Sequence, residues 1–119
     1  MMGPTMVRFS LAKPGEDMNA VWGAEVKNVE GMDLAQLAEK IVSQAEAYTA
    51  LLTPLADTDY REVIQGFGTP MTRGAFLVTS ALASHAAYRT QLFCYLKACG
   101  RTELSTANLW RGVDAPPKA

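Results

Sequence analysis

One histidine and two cysteines in 119 residues narrow the available chemistry before any motif is considered. A zinc or iron site needs at least two more N, S or O ligands converging on the sole histidine, His85. On a helix its neighbours are Ala81, Leu82, Tyr88 and Arg89, of which only Tyr88 coordinates a metal, and weakly, while Arg89 repels a cation. A Ser-His-Asp or Cys-His arrangement needs a nucleophile beside His85, and Ser84, adjoining in sequence, points about a quarter-turn away. Cys94 and Cys99 lie on one predicted helix, about 7.5 Å apart along its axis at roughly 1.5 Å per residue. That is beyond disulfide reach. Both read as reduced thiols serving as small core residues of a cytoplasmic protein. No catalytic residue and no metal ligand is therefore assigned.

Other absences exclude whole classes. A net charge of −1 makes no case for a nucleic-acid or membrane-surface protein. The start, Met1 to Leu11, is broken by Gly3 and Pro4 and interrupted by Arg8, which does not make a secretory signal. No apolar run is long enough to cross a bilayer. Gly66-Phe67-Gly68 lacks the third glycine and the preceding buried strand of a dinucleotide-binding loop. Repeats, heptads and low-complexity blocks are missing as well.

What is present is apolar content, 49% of the chain, enough for one folded domain spanning residues 1–119. Charge is unevenly spread: residues 1–62 hold ten carboxylates against five Lys/Arg, and residues 63–119 hold two against six. Between Arg73 and Thr102 there is no Asp or Glu, while Arg73, Arg89, Lys97 and Arg101 are present. Either acidic and basic helices face each other, or the basic stretch lines a site for a small anionic ligand.

The chain is organised around Thr69 to Gly100. Thr69 is a candidate cap and Pro70 suits the first helical position. Gly100 suits the stop, with Lys97 in the last turn. Gly74 to Tyr88 carries no formal charge with His85 neutral, so the expected helix is central, covered on most faces. Ahead of it, residues 1–16 read as an irregular arm because of Gly3, Pro4, Pro14 and Gly15. Asp17 caps a short predicted helix, Met18 to Lys27, that buries Val21 and Trp22, with Val26 as a further candidate. Asp33-Leu34-Ala35-Gln36 has capping-box form. Leu34, Leu37, Ala38, Ile41, Ala45, Tyr48, Leu52 and Leu55 then make one apolar stripe, ended near Leu52 by Pro54. Asp57 and Asp59 start a turn through Val63. The tail, residues 101–119, has a turn near Glu103 and the cluster Leu109-Trp110, and frays from Asp114 to Pro117. Leu92 and Leu96 are expected in the core with Ile41 and Tyr48 nearby.

The run from His85 through Tyr88-Arg89-Thr90-Gln91-Leu92 and Tyr95-Leu96-Lys97 to Gly100 resembles the last helix of DinB-like proteins. Those proteins carry His-x-x-His-His-Arg-(Gly/Thr)-Gln-Leu-x-x-Tyr-Leu-(Arg/Lys) followed by Gly. Phe67 to Arg73 and Asn108 to Asp114 are similar to the flanks of that helix, so the resemblance covers about Met32 to Asp114. It implies an all-α, up-down-down-up four-helix bundle, commonly dimeric. Some members are metal-dependent transferases or isomerases acting with a low-molecular-weight thiol. Two of the family's ligand positions precede the arginine by one and five residues and are Tyr88 and Ser84 here, with His85 one residue out of register. The ligand on the family's second helix is missing, since no histidine precedes His85.

The resulting expectation is a DinB-like bundle with a degenerate metal site, incomplete within one chain: three main helices plus the arm. Its expected role is that of a non-catalytic binding or scaffold homodimer with no cofactor, part of the central helix lying in the interface. His85, Tyr88, Arg89 and Tyr48 are the expected ligand-binding residues. The alternative is an enzyme of the thiol-transferase type, using a divalent metal such as zinc or nickel, with Tyr88 and Arg89 holding an anionic thiol cofactor. A third expectation is a chain whose natural start lies upstream.

Overall fold

Two caps read from the sequence, Asp17 and Asp33, set helix starts in the computed structural model, which describes residues 2–112; the fraying expected from Asp114 to Pro117 lies outside them. Asp17 accepts from the backbone N–H groups of Asn19 and Ala20 and opens α2, Met18–Val29. Asp33 and Gln36 form the expected reciprocal box at the start of α3, Leu34–Leu52, and the helix ends ahead of Pro54. A short α4, Asp57–Arg61, follows. The molecule is mostly helical, as expected.

Two regions depart from expectation. The first is residues 2–11, which are not an irregular arm but a helix, α1, Met2–Leu11. Pro4 falls in its first turn, where the backbone N–H groups have no intrahelical acceptor to lose. From Gly3 to Val7 every residue is buried, and so is Ser10, with Val7 only 1% exposed. α1 packs against α2, α3 and the later π-helical segment. The helix buried on most faces is therefore this one, not Thr69 to Gly100.

The second region is the start of the expected central helix. Thr69 does not cap it. Thr69–Thr72 is a strand, β2, paired antiparallel with β1, Val63–Gly66, with Gly66 opposite Thr69. The two-residue loop between them has positive φ at both Phe67 (50°) and Gly68 (80°), the primed turn whose twist matches a tight hairpin. Helix resumes three residues later than expected: Thr72 accepts from the Ala75 N–H and opens α5, Arg73–Phe76. A π-helical segment, Leu77–Leu82, follows, then α6, Ala83–Ala98.

The chain forms two compact units, Met1–Ala83 and Ser84–Ala119. In the first, Met6, Phe76 and Ala81 form the buried core, with Phe9, Trp22, Ile64 and Met71 packed against it. Phe9 and Trp22 meet edge to face, ring centroids 6.5 Å apart. Gly66 fits here because it has no side chain: a Cβ would lie 2.7 Å from Phe76 Cδ2 and 2.8 Å from Met71 Sδ. Gly66→Ala is expected to destabilise the protein by about 1–3 kcal/mol, the usual cost of overpacking. Urea unfolding measures it, and a loss below about half a kcal/mol would show that both neighbours move aside.

In the second unit α6 stops where expected. Gly100 adopts φ 93°, its N–H donates to the Lys97 carbonyl and the Arg101 N–H donates to that of Leu96, the paired bonds of a Schellman cap. Lys97 Nζ donates to the carbonyls of Thr102 and Leu104, both at 3.1 Å, tying down the following loop. The tail then forms a further helix, α7, Thr106–Arg111, capped by Ser105. Cys94 and Cys99 are free, as expected, but exposed rather than in the core.

The apolar stripe of α3 also departs from expectation. Gln44, 7% exposed, is the residue α3 buries, while Leu34, Ala38, Ile41, Val42 and Ala45 face solvent. Leu92 on α6 is exposed too, with Leu96 half-buried. Ile41, also expected in the core, is exposed, and Tyr48 is half-buried.

Candidate functional site

α6 carries three of the four residues singled out from the sequence. His85, Tyr88 and Arg89 are spaced three and four apart, so they share one helix face, and all three are exposed. Tyr48 belongs to α3 in the other unit. It is half-buried, and burial raises its phenol above the usual tyrosine range, so it stays neutral well past physiological pH. On the same side of α6 the Gln91 amide donates to the Tyr95 hydroxyl at 3.1 Å, four residues on.

The basic stretch is largely spoken for. Arg73 is buried, its Nε donating to the Ser10 carbonyl at 2.9 Å and its Nη1 to that of Asp59 at 2.5 Å. Its Nη2 pairs with Glu62 Oε2 at 2.7 Å. Lys97 holds carbonyls, and Arg101 pairs with Glu103, holding that carboxyl below the usual carboxylate range. Of the four cations expected to line an anion site, Arg89 is the one standing on the apolar face of α6.

Among the described residues no group of three or more His, Cys, Asp or Glu side chains is placed to hold an ion. The two positions that carry ligands in the resembled family are a phenol and a hydroxyl here.

An open cleft of about 390 Å³ lies in the first unit, walled by Leu11, Met18, Val21 and Leu51, with Arg8, Glu16 and Asp17 at its edge. Its acids already serve the backbone. Glu16 accepts from the Lys13 N–H at 2.7 Å, and Asp17 caps α2. Arg8 approaches Glu25 at 3.9 Å. The cleft lies where residues of α1, α2 and α3 come together.

Beyond single residues, α3 and α6 each carry an exposed apolar stripe. Their helical spacing was visible in the sequence, but their exposure was not. Comparison of the chain with family models, with curated proteins and with solved structures returns no match. No helix among the described residues is long and apolar enough to cross a membrane.

Proposed function

We propose that the protein is a non-catalytic binding or scaffold protein of the DinB-like helical type, with a degenerate metal site, and that it works as a homodimer. The observation that carries this reading is the exposure of large apolar side chains in register on two helices. On α3, Leu34 is 85% exposed, Ile41 62% and Val42 75%; on α6, Tyr88, Leu92 and Tyr95 are each more than half exposed. Single apolar residues in water are ordinary, whereas contiguous stripes mark surfaces that another molecule covers. The reading also rests on the donor set, which offers a divalent ion one imidazole. The two free thiols suit a reducing compartment such as the cytoplasm.

Light scattering across a dilution series is expected to give twice the chain mass at high concentration, falling toward the chain mass on dilution. A monomer at every concentration would sink the homodimer. Elemental analysis of protein purified without chelator is expected to show no stoichiometric metal; one zinc, nickel or iron per chain would overturn the degenerate site and favour the transferase reading.

A further inference from the structure

We infer that the outer edge of β1 docks a second copy of the chain, β1 pairing antiparallel with the partner's β1 across a two-fold axis at Ile64. The inference rests on the homodimer reading and gives it a contact of fixed register. All the groups involved belong to the first unit. The hairpin's own pairing shows which backbone groups point outward. Val63 lies opposite Thr72, Ile64 opposite Met71, Gln65 opposite Pro70 and Gly66 opposite Thr69. One step further the Arg73 N–H donates to the Glu62 carbonyl at 2.9 Å, so Glu62 and Arg73 are a hydrogen-bonded pair. Such pairs alternate along an antiparallel ladder. Ile64 and Gly66 therefore turn their N–H and C=O groups toward β2, and Val63 and Gln65 turn theirs away from it.

The two edges of the hairpin are unequal. On β2 the outward positions are Pro70, which has no N–H, and Thr72, where the chain already turns into α5. Proline closes a strand edge to further pairing. β1, Val-Ile-Gln-Gly, carries neither proline nor charge. Val63 and Gln65 are exposed, and among the described residues no backbone bond from another element reaches them. Only an extended segment with unpaired backbone groups can take up that edge. The second unit supplies none among its described residues. α6 and α7 are helices, and between them the N–H groups of Gly100, Arg101, Thr102 and Leu104 already donate locally. The matching edge is β1 itself, in another copy.

Two-fold pairing about Ile64 sets Val63 opposite the partner's Gln65, twice, and makes four backbone hydrogen bonds. Ile64 meets the partner's Ile64 in the closer, non-hydrogen-bonded pair, on the face that packs against the core. Such β-branched pairs stabilise a sheet. The two Glu62 residues stand at opposite ends of the contact, about 13 Å apart at roughly 3.3 Å per residue, beyond the screening length at physiological salt. The resulting four-stranded sheet carries a Pro70 edge on each side, so growth stops at two copies.

The test uses the full chain. Amide hydrogen exchange of the native protein is read by NMR at concentrations above and below the dissociation midpoint. The Val63 and Gln65 amides are expected to exchange roughly tenfold more slowly in the dimer, while Ile64 and Gly66, bonded within the hairpin, change little. Light scattering then compares two variants. Gln65→Pro removes an outward donor and leaves the hairpin's own bonds in place, whereas Gln65→Ala removes only the side chain. The proline variant is expected to raise the dimer's dissociation constant roughly tenfold to a hundredfold, and the alanine variant to leave it unchanged. If circular dichroism shows that Gln65→Pro loses the native helical signal, Val63→Pro replaces it, since Glu62 ahead of it is already extended as a residue before proline must be. A dimer whose Val63 and Gln65 amides exchange at the same rate at both concentrations overturns the pairing: equally fast, the edge is open; equally slow, the chain's own second unit covers it. A dimer weakened as much by Gln65→Ala as by Gln65→Pro overturns it as well. A native chain that is monomeric at every concentration overturns the homodimer reading and this pairing with it, a failure seen before any variant is made.

Discussion

Replacing Phe76 with alanine is expected to lower the unfolding free energy by about 3–5 kcal/mol, the range for truncating a buried phenylalanine. The ring is 3% exposed and sits at the meeting point of the first unit, between α1 and the hairpin. It touches the core Met6 and Ala81, blocks any side chain at position 66, and lies 5.2 Å from the Phe67 ring, centroid to centroid. Little around it can collapse into the space it would vacate, because Gly66 already brings the hairpin backbone as close as it can come. Phe67, with its ring in solvent, is the control: Phe67→Ala loses one aromatic contact and is expected to cost at most about 1.5 kcal/mol. Urea unfolding of both variants gives the ratio. Equal losses would mean that Phe76 is not central to the core.

Removing the buried guanidinium is expected to cost nearly as much. Arg73→Ala leaves the Ser10 and Asp59 carbonyls without the donor they have now, at about 1–3 kcal/mol for each that stays shielded from water. The Glu62 carboxylate is mostly exposed and simply rehydrates, so it adds little. The expected total is about 2–4 kcal/mol. Arg73→Lys tests the geometry: an ammonium cannot reach acceptors on α1, α4 and Glu62 together as the planar fork does. Lysine is therefore expected to restore less than half of the loss. Full rescue by lysine in the same denaturation experiment would show that charge alone matters at this position.

The local signals were legible where a side chain caps its own helix. Asp17, the Asp33 and Gln36 box, and Gly100 act within a few residues of themselves, and each ends or begins a helix where the sequence says it should. The hairpin was hidden by Phe67. An asparagine there would have announced a primed turn, whereas a phenylalanine rarely stands at positive φ, as Phe67 does here at 50°. Pro4 concealed α1 for the opposite reason: a helix breaker is harmless in a first turn, and whether it stands in one depends on where the helix begins. The burial of α3 was misjudged because periodicity shows that a helix has an apolar face, not which partner takes it. α1 packs on α3, and the residue that α3 buries is Gln44 rather than one of the Ile41 stripe. Of the candidate site, the shared face of His85, Tyr88 and Arg89 was legible from spacing alone; their exposure depends on tertiary packing.

The hydrogen bond from Arg73 to the Ser10 carbonyl closes a loop of 63 residues, and this sets an order of events during synthesis. α1 leaves the ribosome well before α5 and the π-helical segment that cover one of its sides. At about 5–20 residues per second, the interval is roughly 3–13 s, long compared with the microseconds a helix needs to form. For those seconds the most buried helix of the finished protein stands partly bare, and whatever shelters it then, α3 arriving first or a chaperone, decides how much of the newly made chain reaches the folded state.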